Sequence, residues 1–250
     1  MKNEETAKDR LDLVKRLFAV AISIGIGSRL VSADGPGWIK ELRLPHGAME
    51  WEHLLVLLLA LSATVLSWDG YLASVQKKPL NDWFRFAIDV FLVIIYMILI
   101  STSNQTWHWL TILCIIFALY VVWDAASIWH FPRAFDCDFV DGKSRLFAIV
   151  RVYGLSVLDR PKIDRGPLIS LAWGTYFATL WWMVWRLYPQ PYFSVFWLLL
   201  AAAVGLWLYR KDKRRKGSDG TRGYKMWQRA LIILALVGCV GLLGHVSIKL

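Results

Sequence analysis

The sequence predicts an all-α integral membrane protein of about seven transmembrane helices, packed as a single bundle over residues 1–250. Three observations carry that expectation. The chain is 57% hydrophobic, with fifteen Trp and a mean hydropathy of +0.44, well above an ordinary soluble domain. Apolar runs long enough to cross a hydrocarbon layer of about 30 Å recur along its length. Lys and Arg crowd alternate connections between those runs, as the positive-inside rule requires of a chain that crosses repeatedly.

The runs fall near Leu17–Ala33, Trp51–Ala73, Trp83–Ser101, Thr106–Ile128, Pro167–Trp185, Tyr192–Tyr209 and Met226–Ser247. The first has a clean apolar stretch only from Leu17 to Ser28 before Arg29, so a re-entrant or surface-lying first helix would leave six spans. Acidic residues ahead of it, and Asp34 and Gly35 just after Ala33, argue for a retained helix over a cleaved leader. The second and fourth match. Trp51–Asp69 and Thr106–Asp124 each place a His near the start, His53 and His108, sixteen residues before the Asp of a Trp-Asp pair. This suggests an internal two-helix repeat, with Trp207-Leu208 closing a degenerate third copy.

Residues 1–16 hold five Lys or Arg, 71–84 two, 129–166 seven and 210–225 eight, whereas the opposite connections hold only Arg29, Lys40, Arg43, Arg186 and Lys249. The expected amino terminus is therefore cytoplasmic and the carboxy terminus outside. Two cytoplasmic pieces stand out, an insert at about 129–166 and a polybasic loop at about 210–225. The insert has apolar stretches between Pro and Gly boundaries, which fits an interfacial helix or a small hairpin. In the loop, Arg210, Lys211, Lys213, Arg214, Arg215 and Lys216 are expected to meet anionic lipid headgroups or an acidic soluble partner. The net charge of +10 is thus mainly a topology signal, and a nucleic-acid reading is disfavoured.

Cys114, Cys137 and Cys239 offer no disulfide framework and no zinc spacing. Asp136, Asp138, Asp141 and Gly142 imitate the start of a calcium loop, but the spacing is off by one and Phe147 stands where a closing Glu belongs. No Ser-His-Asp, HExxH or Walker motif is visible, so no enzyme activity is expected. His53 and His108 on two helices of the same direction invite a haem reading, weighed against by the lack of a second His pair and by the neighbouring interfacial Trp51, Trp107 and Trp109. Most Trp residues mark span ends. Gly238, Gly241 and Gly244 fall three apart, a smooth ridge for close helix packing within the bundle or in a homo-oligomer.

Asp69 lies eight residues before Lys77, Asp124 nine before Arg133, and Asp89 six after Trp83. At about 1.5 Å per residue, all three sit roughly 10 Å inside the cytoplasmic boundary. An ionised carboxylate facing hydrocarbon there costs roughly 2.5–3.5 kcal/mol on the most lenient scale, so these acids should face the interior, water or a cation. Arg85 is one helical turn before Asp89 and can meet it on one face. Tyr96 and Tyr120 extend the polar stripes of the third and fourth spans. The structural alternative is local neutralisation and ordinary helix-helix hydrogen bonding. The functional expectation is conduction or transport of a small cation or proton through an acidic cytoplasmic vestibule lined by Asp69, Asp89, Asp124, Arg85, Tyr96 and Tyr120. The alternative is a non-transporting membrane subunit or effector whose basic cytoplasmic face binds a soluble partner or an anionic signal.

Overall fold

The computed structural model describes residues 2–31, 41, 44–77, 83–102, 106–130, 145–157, 166–187, 195–214 and 224–245. Arg215, Lys216, the calcium-like Asp136, Asp138 and Asp141, and segments 131–144 and 158–165 of the insert lie outside the described residues. Among the described residues there are eight helices and no strand: α1 Lys2–Val31, α2 Ala48–Lys77, α3 Trp83–Ser101, α4 Thr106–His130, α5 Arg145–Val157, α6 Gly166–Leu187, α7 Val195–Arg214 and α8 Met226–His245.

Seven of these are long, and they alternate in direction. At one end, the amino-terminal parts of α1, α3, α6 and α8 meet the carboxy-terminal parts of α2, α4 and α7. There the Arg10 guanidinium lies 5.8 Å from the Trp83 ring and 5.6 Å from that of Phe86, Ser170 donates to Asp124 at 2.7 Å, and Arg229 donates to Asp212 at 2.6 Å. At the other end Ser28 donates to Ser101 at 2.9 Å, Thr106 donates to Glu52 at 2.5 Å, and Trp107 stacks on Trp181 with centroids 5.0 Å apart.

Three helical stretches are long and apolar enough to cross a membrane, Glu50–Leu72, Trp83–Ser101 and Thr106–His130, and a shorter apolar stretch runs over Met226–Leu242. Apolar side chains also point outward around the bundle, among them Leu58, Val65, Phe91, Ile115, Trp182 and Leu234. Outward apolar side chains on helices of this length are compatible with a membrane protein. Inside, α4 and α6 share an aromatic seam, with Phe117 stacked on Phe177 at 4.7 Å and Tyr209 of α7 edge-on to Phe117 at 5.0 Å. Helix α1 approaches α3 closely at Gly25, where an added Cβ would stand 3.0 Å from Cβ of Ile100. A small residue is what admits that approach.

Two boundaries depart most from the sequence expectation. Helix α1 begins at Lys2 instead of near Leu17, because helix formation needs no apolar stripe where charges can pair one turn apart, as Lys15 does with Asp12 at 3.1 Å. Helix α7 continues to Arg214, five residues into the expected polybasic loop. Those five residues include Arg210 and Asp212, which are buried by contacts with other helices. Of the two forms open to the insert, its described part is a helix, α5, with Val152 fully buried against Ile128 of α4 and Leu146, Phe147 and Val150 facing outward.

Candidate functional site: a polar layer with a buried acid in an aromatic cavity

Asp89 is 2% exposed, and its carboxylate faces the buried Tyr71 hydroxyl and Trp123 indole N–H without closing a hydrogen bond to either. Helix α3 presents it inward because the apolar residues Phe86, Leu92, Val93 and Tyr96, on neighbouring turns, are buried on the same side. The side chain lines a cavity of about 40 Å³ between α1, α2, α3 and α4. On its wall Phe18 and Trp68 stack on each other at 4.2 Å and 17°, and Trp68 stacks on Tyr71 at 5.5 Å. Tyr96 hydrogen-bonds to Tyr120 on its wall. The Tyr71 hydroxyl is buried without a hydrogen-bond partner. A second cavity of about 10 Å³ shares Ser67, Tyr96 and Tyr120 with the first and reaches Tyr209 of α7.

Arg85, fully buried one turn before Asp89, is the cation that acts most strongly on it. Its guanidinium lies over the Trp123 ring at 4.6 Å, a cation-π contact that holds part of the charge away from the carboxylate. Neither Arg85 nor Trp123 lines the cavity.

The remaining polar groups at this end join pairs of helices. Asp69, whose side chain is half exposed, is bridged by Arg210, whose side chain is 10% exposed. Buried Asp124 accepts from Ser170 at 2.7 Å. Ser170 in turn lies 3.2 Å from the donating Lys213 Nζ, which also donates to the Tyr209 hydroxyl at 3.1 Å. Asp212 and Arg229 are 0% and 1% exposed. Arg229 Nε and Nη2 donate to the two oxygens of Asp212 at 2.6 and 3.2 Å, while Trp173 Nε1 and the Tyr224 amide donate at 3.3 and 3.2 Å. Such a fully hydrogen-bonded buried ion pair satisfies both charges.

The structure thus brings Asp89, Tyr96 and Tyr120 together at one cavity, with Arg85 behind the acid, and gives Asp69 and Asp124 separate partners. Of the basic residues expected at headgroups or a partner, Arg210 is buried and Lys213 is turned into the polar layer, while Lys211 is half-buried with its ammonium 4.7 Å over the Trp207 ring. His53 is half-buried and His108 exposed, and among the described residues no group of three or more His, Cys, Asp or Glu is placed to hold a metal ion. Gly238 stands exposed, with nothing within 4 Å of an added Cβ. Sequence reasoning missed Asp212 and the aromatic wall of Phe18, Trp68 and Tyr71. The available signals were a lone acid inside a basic run and the one-turn spacing of Trp68 and Tyr71 around Asp69.

No protein-family model, curated protein or solved structure matches the chain.

Proposed function

We propose that this is a multi-pass membrane protein with seven crossings, its amino terminus on the cytoplasmic side, that passes a small cation or a proton by way of Asp89. The single observation that carries the reading is the Asp89 carboxylate, buried in the bundle interior on a cavity wall with Arg85, Tyr71 and Trp123 as its polar neighbours. A carboxylate in such a place is held between neutralisation by a proton and pairing with a cation, Arg85 being the one the protein itself supplies, since an uncompensated charge there is too costly to persist. The alternating long helices, the outward apolar faces and the clustering of Lys and Arg in alternate connections support the crossings and their direction.

The vestibule reading narrows accordingly. Asp69 and Asp124 are engaged by Arg210 and Ser170 and flank the route, while Asp89 is the group that holds the ion. The second reading, a non-transporting subunit that binds a soluble partner or an anionic signal at its basic face, is favoured by one observation. The ion pairs Asp69 with Arg210 and Asp212 with Arg229 tie α2 to α7 and α7 to α8, a closure suited to a rigid docking surface.

Flux across proteoliposomes containing the purified protein, with imposed proton and alkali-cation gradients, tests the choice. Transport predicts flux that Asp89→Asn removes from a folded protein. The docking reading predicts no flux from wild type under any gradient.

A further inference from the structure

Resting on the reading of seven crossings with this end cytoplasmic, we propose that α5 is a membrane-surface helix whose outward face docks into an anionic lipid leaflet. Both broad faces of this helix are apolar. The inner one packs on the bundle, with Val152 fully buried against Ile128 of α4 and Ala148, Ile149 and Tyr153 beside it. On the outer one Leu146 and Val150, one turn apart, are 63% and 64% exposed, and Phe147 next to them is 47% exposed. One turn further on Gly154 is exposed, with nothing within 4 Å of an added Cβ. These residues form a stripe along one side of the helix.

The level at which α5 sits points to the occupant. Its contacts fall on the side of α4, where Val152 meets Ile128 and the Tyr153 hydroxyl approaches the Val121 carbonyl at 3.5 Å. Those two α4 positions are about 10 Å apart along the helix axis, so α5 lies beside the last turns of a helix long and apolar enough to cross a membrane. The same stretch of α4 turns Val122 and Trp129 outward, and Trp at the end of an apolar span marks the headgroup layer. An outward apolar stripe at that level meets acyl chains, as an interfacial helix does when it sinks about 5–10 Å into the boundary. Charge agrees with this. Residues 143–157 include Lys143, Arg145 and Arg151 and no acid, and the long basic side chains of such a helix extend to anionic headgroups. An acidic soluble partner would answer the cations and leave the apolar stripe in water, while a second copy would set the same cations against one another.

The test is depth, read on the full chain in liposomes of phosphatidylcholine and phosphatidylglycerol. A fluorophore is attached at Leu146→Cys or Val150→Cys after Cys114→Ala, Cys137→Ser and Cys239→Ala remove the native thiols. It is quenched in turn by a nitroxide on the lipid acyl chains and by acrylamide in the water. Val122→Cys on α4 and Lys8→Cys near the amino terminus, both exposed positions, serve as the lipid and water references. Both α5 sites should follow Val122, with acrylamide quenching several-fold below that at Lys8. Exchanging phosphatidylglycerol for phosphatidylcholine should raise acrylamide quenching at the α5 sites alone. Should the thiol-free chain fail to fold, a benzophenone amino acid at Val150 in the otherwise unaltered chain should cross-link to lipid. The proposal is overturned by acrylamide quenching at both α5 sites equal to that at Lys8, by no response to lipid charge, or by cross-linking to a second copy in place of lipid. Val122 in lipid with both α5 sites in water would sink this docking and leave the crossings standing. Acrylamide quenching at Val122 equal to that at Lys8 would sink the crossings on which it rests.

Discussion

Removing the carboxylate of Asp212 should be among the most damaging single changes in the bundle. Asp212 and Arg229 are 0% and 1% exposed, and Asp212 accepts four hydrogen bonds, two of them from the Arg229 guanidinium. In Asp212→Ala the guanidinium keeps the Tyr224 carbonyl at 3.0 Å and a long contact to Met226 sulfur at 4.0 Å, so a buried charge is left without a counter-ion. Breaking one side of such a pair costs about 3–5 kcal/mol, roughly two to three and a half decades in the folding equilibrium. Removing both charges together, as in Asp212→Leu with Arg229→Met, should recover most of that loss, because the desolvation of both ions disappears with their attraction. Denaturant titration of the solubilised protein, followed by circular dichroism, measures both. A single variant that loses less than about 1 kcal/mol, or a double variant as unstable as the single, would refute the account of this pair as a desolvated clamp between α7 and α8.

Gly205→Ala should cost about 1–3 kcal/mol by overpacking, since a Cβ there would run into the ring of Tyr176, itself held by its hydroxyl donating to the Ala201 carbonyl at 2.7 Å; the shift of the denaturation midpoint reads it. Ser170→Ala deletes the donor to Asp124 and should destabilise by about 1–3 kcal/mol, because the buried acid loses that bond. Asp69→Asn should destabilise by about 1–3 kcal/mol, because the Asp69 side chain is half exposed but the Arg210 guanidinium it bridges is buried; a lowered thermal midpoint is the expected readout.

Much of the helical frame was legible in the sequence because apolar length and Lys/Arg asymmetry are properties of single segments. The spans expected at Trp83–Ser101 and from Thr106 match α3 and the start of α4 to the residue. What stayed hidden depends on which helix meets which. Residues 2–16 are too charged to read as part of a bundle helix, yet Val14 of α1 is buried and lines the Asp89 cavity beside Phe18 of the expected span. Arg210, Asp212 and Lys213 sit in a run that reads as solvated, and only the packing of α7 against α2, α6 and α8 turns them to Asp69, Arg229 and Ser170. The three acids were expected at one depth, and their partners separate them. Asp89 keeps a cavity because Arg85 turns to Trp123, a choice that one-turn spacing alone does not reveal.

The central claim is that Asp89 holds the transported ion, and the most direct measurement is flux in proteoliposomes of wild type against Asp89→Asn, with the fold of each checked by circular dichroism in the same membranes. The account predicts gradient-driven flux of a small cation or proton in wild type and its loss in the folded variant. Undiminished flux through Asp89→Asn, or no wild-type flux under any gradient, would contradict it.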